Sequence, residues 1–142
     1  IRYDAIFRKN SIRIEKEITP ECYVCGNQMY LERAVNNYLM NALQHTGQGR
    51  KIRVSVAEKR SRIRIEVYNE GELIGKDQMK HIWDSFYTFS RKQKLDNQAE
   101  LKNVGLGLFV VRKITEKHRG SCGAENLSEG VLFWIELPAY EK

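Results

Sequence analysis

Apolar and polar residues alternate at the start of the segment Ser11 to Ile18, the period of a half-buried strand, until Pro20 interrupts it. The most regular pattern comes next. From Gln28 to Thr46 the residues Leu31, Val35, Tyr38, Leu39 and Ala42 recur three and four apart, and Gly47 and Gly49 supply a stop, so a helix is predicted there. Ile52 to Val56 and Ile63 to Val67 alternate strictly and are joined by the charged stretch Glu58 to Arg62, as in an antiparallel hairpin with one wet face. Met79, Ile82 and Trp83 predict a shorter helix over Lys76 to Ser85. Leu108, Val111, Ile114 and Thr115 predict another from Leu106 to His118, ending before Gly120. Between these two helices, Thr88 to Asn103 holds no Gly, no Pro and few apolar residues, and long polar loops inside compact domains are usually functional or mobile. Val131 to Leu137 is β-branched and aromatic, as a well-buried strand would be. The sum is an α+β protein, a two-layer α/β sandwich with helices on one face of a mixed, mostly antiparallel sheet.

Composition narrows this picture. The 142 residues suit one domain spanning 1–142, and 42% hydrophobic with 30% charged residues excludes a disordered chain. No apolar run reaches the ~18 residues of a membrane span, and Ile1 to Asn10 lacks a signal-peptide pattern, so a soluble, unexported chain is expected. Three cysteines, Cys22, Cys25 and Cys122, make no disulfide framework and suit a reducing compartment. Cys22 and Cys25 have the spacing of half a zinc site or a redox pair. No second Cys-x-x-Cys exists, and Cys25 is expected to pack inside. The net charge of +6 invites a polyanion, but Arg53, Arg62 and Arg64 alternate with apolar residues, as on a wet sheet face, and no nucleic-acid motif accompanies them.

Three features carry candidate chemistry. Asn37, Asn41 and His45 lie four apart and form a polar stripe roughly 120° around the helix from its apolar face, bordering the core without pointing into it. Taken alone, that stripe is an ordinary solvated helix side. An asparagine carbonyl is nevertheless a hard, neutral oxygen ligand suited to Mg²⁺ whose other ligands are phosphate oxygens. Gly105 and Gly107, where the polar loop meets a helix start, would let backbone N–H groups approach a phosphate, or simply serve as a flexible entry. Asn69-Glu70-Gly71 is a turn signal after the second hairpin strand.

In their order and contexts these pieces resemble the catalytic, ATP-binding domain of sensor histidine kinases, in the wider Bergerat-type group that includes gyrase and the mismatch-repair ATPases. Leu31 to Thr46 is similar to the N box of that family, Val67 to Ile74 to the G1 box, Ile82 to Tyr87 to the F box and Gly105 to Leu108 to the G2 box. The resemblance implies Asn41 as Mg²⁺ ligand, Asn37 as a helper in transfer, and Gln44 and His45 near the phosphates. It places Asn69, Gly71 and Ile74 around adenine. It assigns Phe86, Tyr87 and Arg91 to the edge of an ATP lid over 88–103, and gives Gly105, Leu106, Gly107 and Leu108 to the phosphate loop. The implied cofactors are ATP and Mg²⁺. The implied reaction moves the γ-phosphoryl group to a histidine on a preceding dimerisation domain, then to a response regulator.

The chain departs from the family pattern at three places. Asn69 stands where the family has Asp, Leu73 where G1 has a second glycine, and Asn103 where G2 has its first. None of His45, His81 and His118 lies in the phosphoacceptor context, so the resemblance implies a C-terminal piece of a longer, membrane-anchored, homodimeric sensor with this part in the cytoplasm. Two other readings fit the same residues. One is an anti-sigma-factor-like serine kinase of this fold. The other is an interaction module whose altered G1 box no longer binds nucleotide.

Overall fold

The computed structural model describes residues 12–46, 50–85 and 107–140. Strand β1 (Arg13–Ile18) leads through helix α1 (Gln28–His45) to β2 (Lys51–Lys59), which turns back into β3 (Arg62–Glu70). Helix α2 (Lys76–Met79) follows. Helix α3 (Gly107–Lys117) then leads to β4 (Ser121–Asn126) and β5 (Gly130–Pro138). The strands form one sheet in the order β1-β2-β3-β5-β4. β1 and β2 run parallel, with α1 as the crossover that a parallel pair needs, and the other neighbours are antiparallel. The expected two-layer architecture is therefore what the chain adopts.

Register decides which side chains face the helices. Ile52 pairs with Asn69, and Val67 with both Val54 and Phe133, so these residues share the inward face. The helices cover that face with Tyr38, Leu39, Ala42, Leu43, Val111 and Ile114, all buried. The Tyr38 and Phe133 rings meet at 5.4 Å, and the Tyr38 hydroxyl donates to the Trp134 carbonyl at 2.9 Å. On the other face Arg53 lies over the Tyr68 ring at 5.1 Å and Arg64 over Trp134 at 4.7 Å. Arg64 also donates to Glu66 and Glu136, each at 2.7 Å, so these strand cations belong to a paired wet face.

Element ends follow local chemistry. Asn27 caps α1, its Oδ1 accepting from the Tyr30 N–H at 3.0 Å. The β2–β3 connection is a two-residue turn at Arg60 and Ser61, with φ of 55° and 62°. That is the sense of bend that matches strand twist, here adopted without glycine.

Four expectations are corrected. The helix over 76–85 is regular only to Met79; beyond it the His81 N–H bonds to Gln78 O and the Asp84 N–H to His81 O, tighter i→i+3 turns that still bring Ile82 inside. Strand β4 was not expected at all, because Ser-Cys-Gly-Ala-Glu-Asn carries no β-branched alternation. Cys25, expected to pack, is exposed, because it lies in the irregular segment ahead of α1 rather than on its core-facing side. The fourth correction concerns the polar stripe and is described below.

Candidate functional site

The C-terminal half of α1, the end of β3 and the start of α3 converge at one end of the helical layer. Gly71 makes the first junction. Its φ of 149° is one that residues with a side chain rarely adopt, and a Cβ there would sit 2.8 Å from the His45 carbonyl oxygen. Glycine thus lets the turn after β3 press against the end of α1. The second junction is Asn37, whose Nδ2 donates to the Gly107 carbonyl at 3.1 Å and ties the middle of α1 to the first residue of α3.

The polar stripe on α1 is consequently not a solvated side bordering the core. Asn41 is 3% exposed and His45 is also buried, its carbonyl lying against the turn at Gly71. Gln44 is half-buried beside them. Among the described residues Asn41 Oδ1 has no hydrogen-bond partner, and neither has the hydroxyl of Thr46, which is fully buried where α1 ends. At the end of β3, Asn69 is 1% exposed, with both Oδ1 and Nδ2 unpartnered. A buried polar atom left unsatisfied costs about 1–3 kcal/mol. Several at one end of the fold mark a surface shaped for a polar ligand.

Ile74 is held differently. Its N–H donates to Asn126 Oδ1 at 3.0 Å, and its carbonyl accepts from Asn126 Nδ2 at 2.8 Å. The last residue of β4 thereby pins the segment after the G1 turn. Leu108 is a buried core residue, with Gly107 half-buried before it. Phe86, Tyr87, Arg91, Gly105, Leu106 and the expected lid at 88–103 lie outside the described residues.

The donor set was tested against magnesium. Among the described residues no group of three His, Cys, Asp or Glu side chains could hold a metal. Asn41 offers one buried, unpartnered, neutral oxygen. That fits an ion whose remaining ligands come from phosphates and water, and does not fit an all-protein cage.

Sequence reasoning gave no role to Thr46 and none to Asn126. Thr46 stood at the end of the helical pattern, where a cap is expected, so its position was visible but its burial was not. Asn126 acts across 52 positions of chain, for which local sequence carries no signal.

Comparison with known proteins places the chain in a family. The family described as histidine kinase-, DNA gyrase B- and HSP90-like ATPase matches residues 26–141. The chain belongs to that family. It is 36% identical over 121 residues to the sensor histidine kinase RppB of Synechocystis, covering 84% of this chain and 26% of that protein. It is 31% identical to the probable sensor kinase SilS of Salmonella typhimurium, covering 85% of this chain and 24% of that one. The nucleotide-free catalytic domain of histidine kinase ThkA superimposes with a TM-score of 0.83 at 27% identity, over 96% of this chain and 86% of that one. The fold is thus that of histidine kinase catalytic domains, and the described site falls on the family's ATPase unit. The chain spans about a quarter of the length of these curated relatives. No helix among the described residues is long and apolar enough to cross a membrane.

Proposed function

We propose that this chain binds Mg-ATP and, within a longer sensor, donates the γ-phosphoryl group to a histidine on a preceding dimerisation domain, from which it passes to a response regulator. The observation that supports this most is the convergence of Asn41, Thr46 and Asn69, each with buried and unpartnered polar atoms, where α1, β3 and α3 meet.

In this reading Asn69 faces the base, with Gly71 and Ile74 shaping its pocket. Asn41 holds the metal, and Asn37, Gln44 and His45 line the phosphate side. The segment entering α3, with Gly105, Leu106, Gly107 and Leu108, lets the backbone come close to the phosphates, and Phe86, Tyr87 and Arg91 flank the lid. Magnesium, when bound, neutralises charge on the phosphate oxygens. The chain's own work is positioning. Asn37 holds the start of α3 through Gly107, and Gly71 fixes the base turn against α1, so that base and phosphates are gripped by elements packed on one core.

The regulator partner is supported by ThkA, which has been seen in complex with the response regulator protein TrrA and resembles this chain with a TM-score of 0.78 at 25% identity. The relatives' greater length leaves room for a membrane anchor, a sensor and a dimerising helical domain in the intact protein, which would keep this part in the cytoplasm. Calorimetric titration with Mg-ADP tests the binding half directly. Asn41→Ala is expected to lower affinity in the presence of Mg²⁺ by about 100-fold or more, near 2.7 kcal/mol, with the melting profile of the free chain retained. Unchanged Mg-ADP affinity in that variant overturns the assignment.

A further inference from the structure

Asn69 stands where the resemblance to the family's usual motif leads one to expect Asp, and the chemistry of an amide differs from that of a carboxylate in one decisive respect. A carboxylate only accepts hydrogen bonds, whereas a carboxamide presents an acceptor and a donor side by side. Adenine offers a donor, its 6-amino group, next to an acceptor, N1. Guanine and hypoxanthine offer the reverse, an acceptor O6 next to a donor N1–H. A carboxylate is biased to acceptance: it can take one proton from either edge and has none to give to N1 of adenine or to O6 of a 6-oxopurine.

The Asn69 amide has no such bias. It sits on the inward face of β3, paired in register with the buried Ile52 and Val131, and is 1% exposed. Neither of its polar atoms has a partner among the described residues, so no hydrogen bond from them fixes which way the amide faces. A half-turn about its last torsion exchanges donor and acceptor without moving the backbone. Gly71 leaves room for that, since even the nearest position a Cβ would take there is 3.8 Å from Nδ2. The neighbouring buried polar group, the Thr46 hydroxyl, is equally unpartnered and rotates to donate or accept. Both recognition groups are thus reversible in polarity.

We infer that the base pocket of this chain accepts 6-oxopurine nucleotides as well as adenine nucleotides, with the Asn69 amide turned one way for each. Resting on the reading that Asn69 faces the base, the inference widens the substrate class from ATP to purine nucleotides. Oδ1 takes the adenine 6-amino proton while Nδ2 donates to N1. In the other orientation Nδ2 donates to O6 while Oδ1 takes the N1 proton.

The test is calorimetric titration of the chain with the magnesium complexes of ADP, IDP and GDP, none of which has a γ-phosphoryl group to transfer. IDP lacks the 2-amino group of GDP and isolates the polarity of the 6-position from the room available at the 2-position. The expected result is an IDP dissociation constant within about tenfold of that for ADP. Asn69→Leu, which removes both groups at similar volume, is expected to weaken ADP and IDP alike by about tenfold or more, and a loss confined to ADP would overturn the inference. Should that variant not fold, as its melting curve would show, the wild-type ratio of IDP to ADP decides alone. ADP binding with IDP and GDP both more than about 100-fold weaker overturns the inference and leaves the ATP reading standing. Binding of none of the three overturns both.

Discussion

The two ends of the layer formed by α1 and α3 are built from similar residues and solve opposite problems. At the far end Asn27 caps α1 with its side chain, while its own N–H is accepted by His118 Nε2 at 3.1 Å. The other nitrogen of that ring, Nδ1, faces the Ile114 carbonyl at 2.8 Å, so one imidazole ties the start of α1 to the last turn of α3. At the opposite end Asn41, Thr46 and Asn69 are buried far more deeply than the exposed Asn27 and the half-buried His118, and among the described residues their polar atoms find no partner. The contrast separates two uses of polar side chains. Where partners are supplied by the chain, the groups hold elements together. Where they are withheld, the groups wait for a ligand, and the fold carries their desolvation cost until it arrives.

Mutation should therefore act with opposite sign at the two ends. His118→Ala removes the acceptor of the exposed Asn27 N–H and one of the two donors to the Ile114 carbonyl, which keeps the His118 N–H, and urea denaturation is expected to show a loss of about 0.5–1.5 kcal/mol with Mg-ADP affinity unchanged. A loss of nucleotide affinity there instead would show that the two ends are coupled. Thr46→Val, which exchanges an unpartnered hydroxyl for a methyl group, is expected to raise stability by about 1 kcal/mol in the same assay, and destabilisation would erase the distinction drawn here.

A smaller effect belongs to the middle of the layer. Burial pushes the Cys122 thiol above its ordinary range and the Tyr38 hydroxyl well above its own. Folded Cys122 keeps its proton where the unfolded chain loses it. Its contribution is thus whole below the ordinary thiol range, near pH 8.5, and is lost as pH rises through the higher folded value. Melting temperatures measured between pH 7 and pH 10 should fall, and Cys122→Ala should remove the part of that fall that begins in the thiol range. The least effect is expected on the exposed flank of α3, where Glu116 lies 3.9 Å from Arg112 and 3.8 Å from Lys113. Glu116→Gln should change stability by no more than about 0.5 kcal/mol, and a larger change would mean that the surface contributes more than either end.

Much of this architecture was legible in the chain because strict alternation and three-four spacing are local. Ile52 to Val56, Ile63 to Val67 and the apolar run from Leu31 to Ala42 each found their expected element. Strand β4 was not legible. Its inward residues Cys122 and Ala124 are small, and Gly123 lies under the Trp134 ring, so the strand is defined by what packs on it rather than by its own pattern. The asparagine stripe shows the same limit. A projection of one helix correctly spaced Asn37, Asn41 and His45, yet what meets them comes from far along the chain, the Gly71 turn at the His45 carbonyl and Gly107 at Asn37, 70 residues on. Motif order revealed the family, and only the folded arrangement revealed that Thr46 and Asn69 lack partners.

The position of β5 has a consequence for how this domain comes into being. It is the last of the described strands, yet it lies between β3 and β4 and pairs with both. Until residues 130–138 leave the ribosome, β3 has an open edge and the floor beneath α3 is missing. Pairing β3 with β5 joins residues as far apart as Arg62 and Pro138, a long-range closure that slows folding. The domain must therefore be completed after nearly all of it has been synthesised, and a chain cut short before Gly130 would present the bare, β-branched edge of β3 to its neighbours, a template for aggregation.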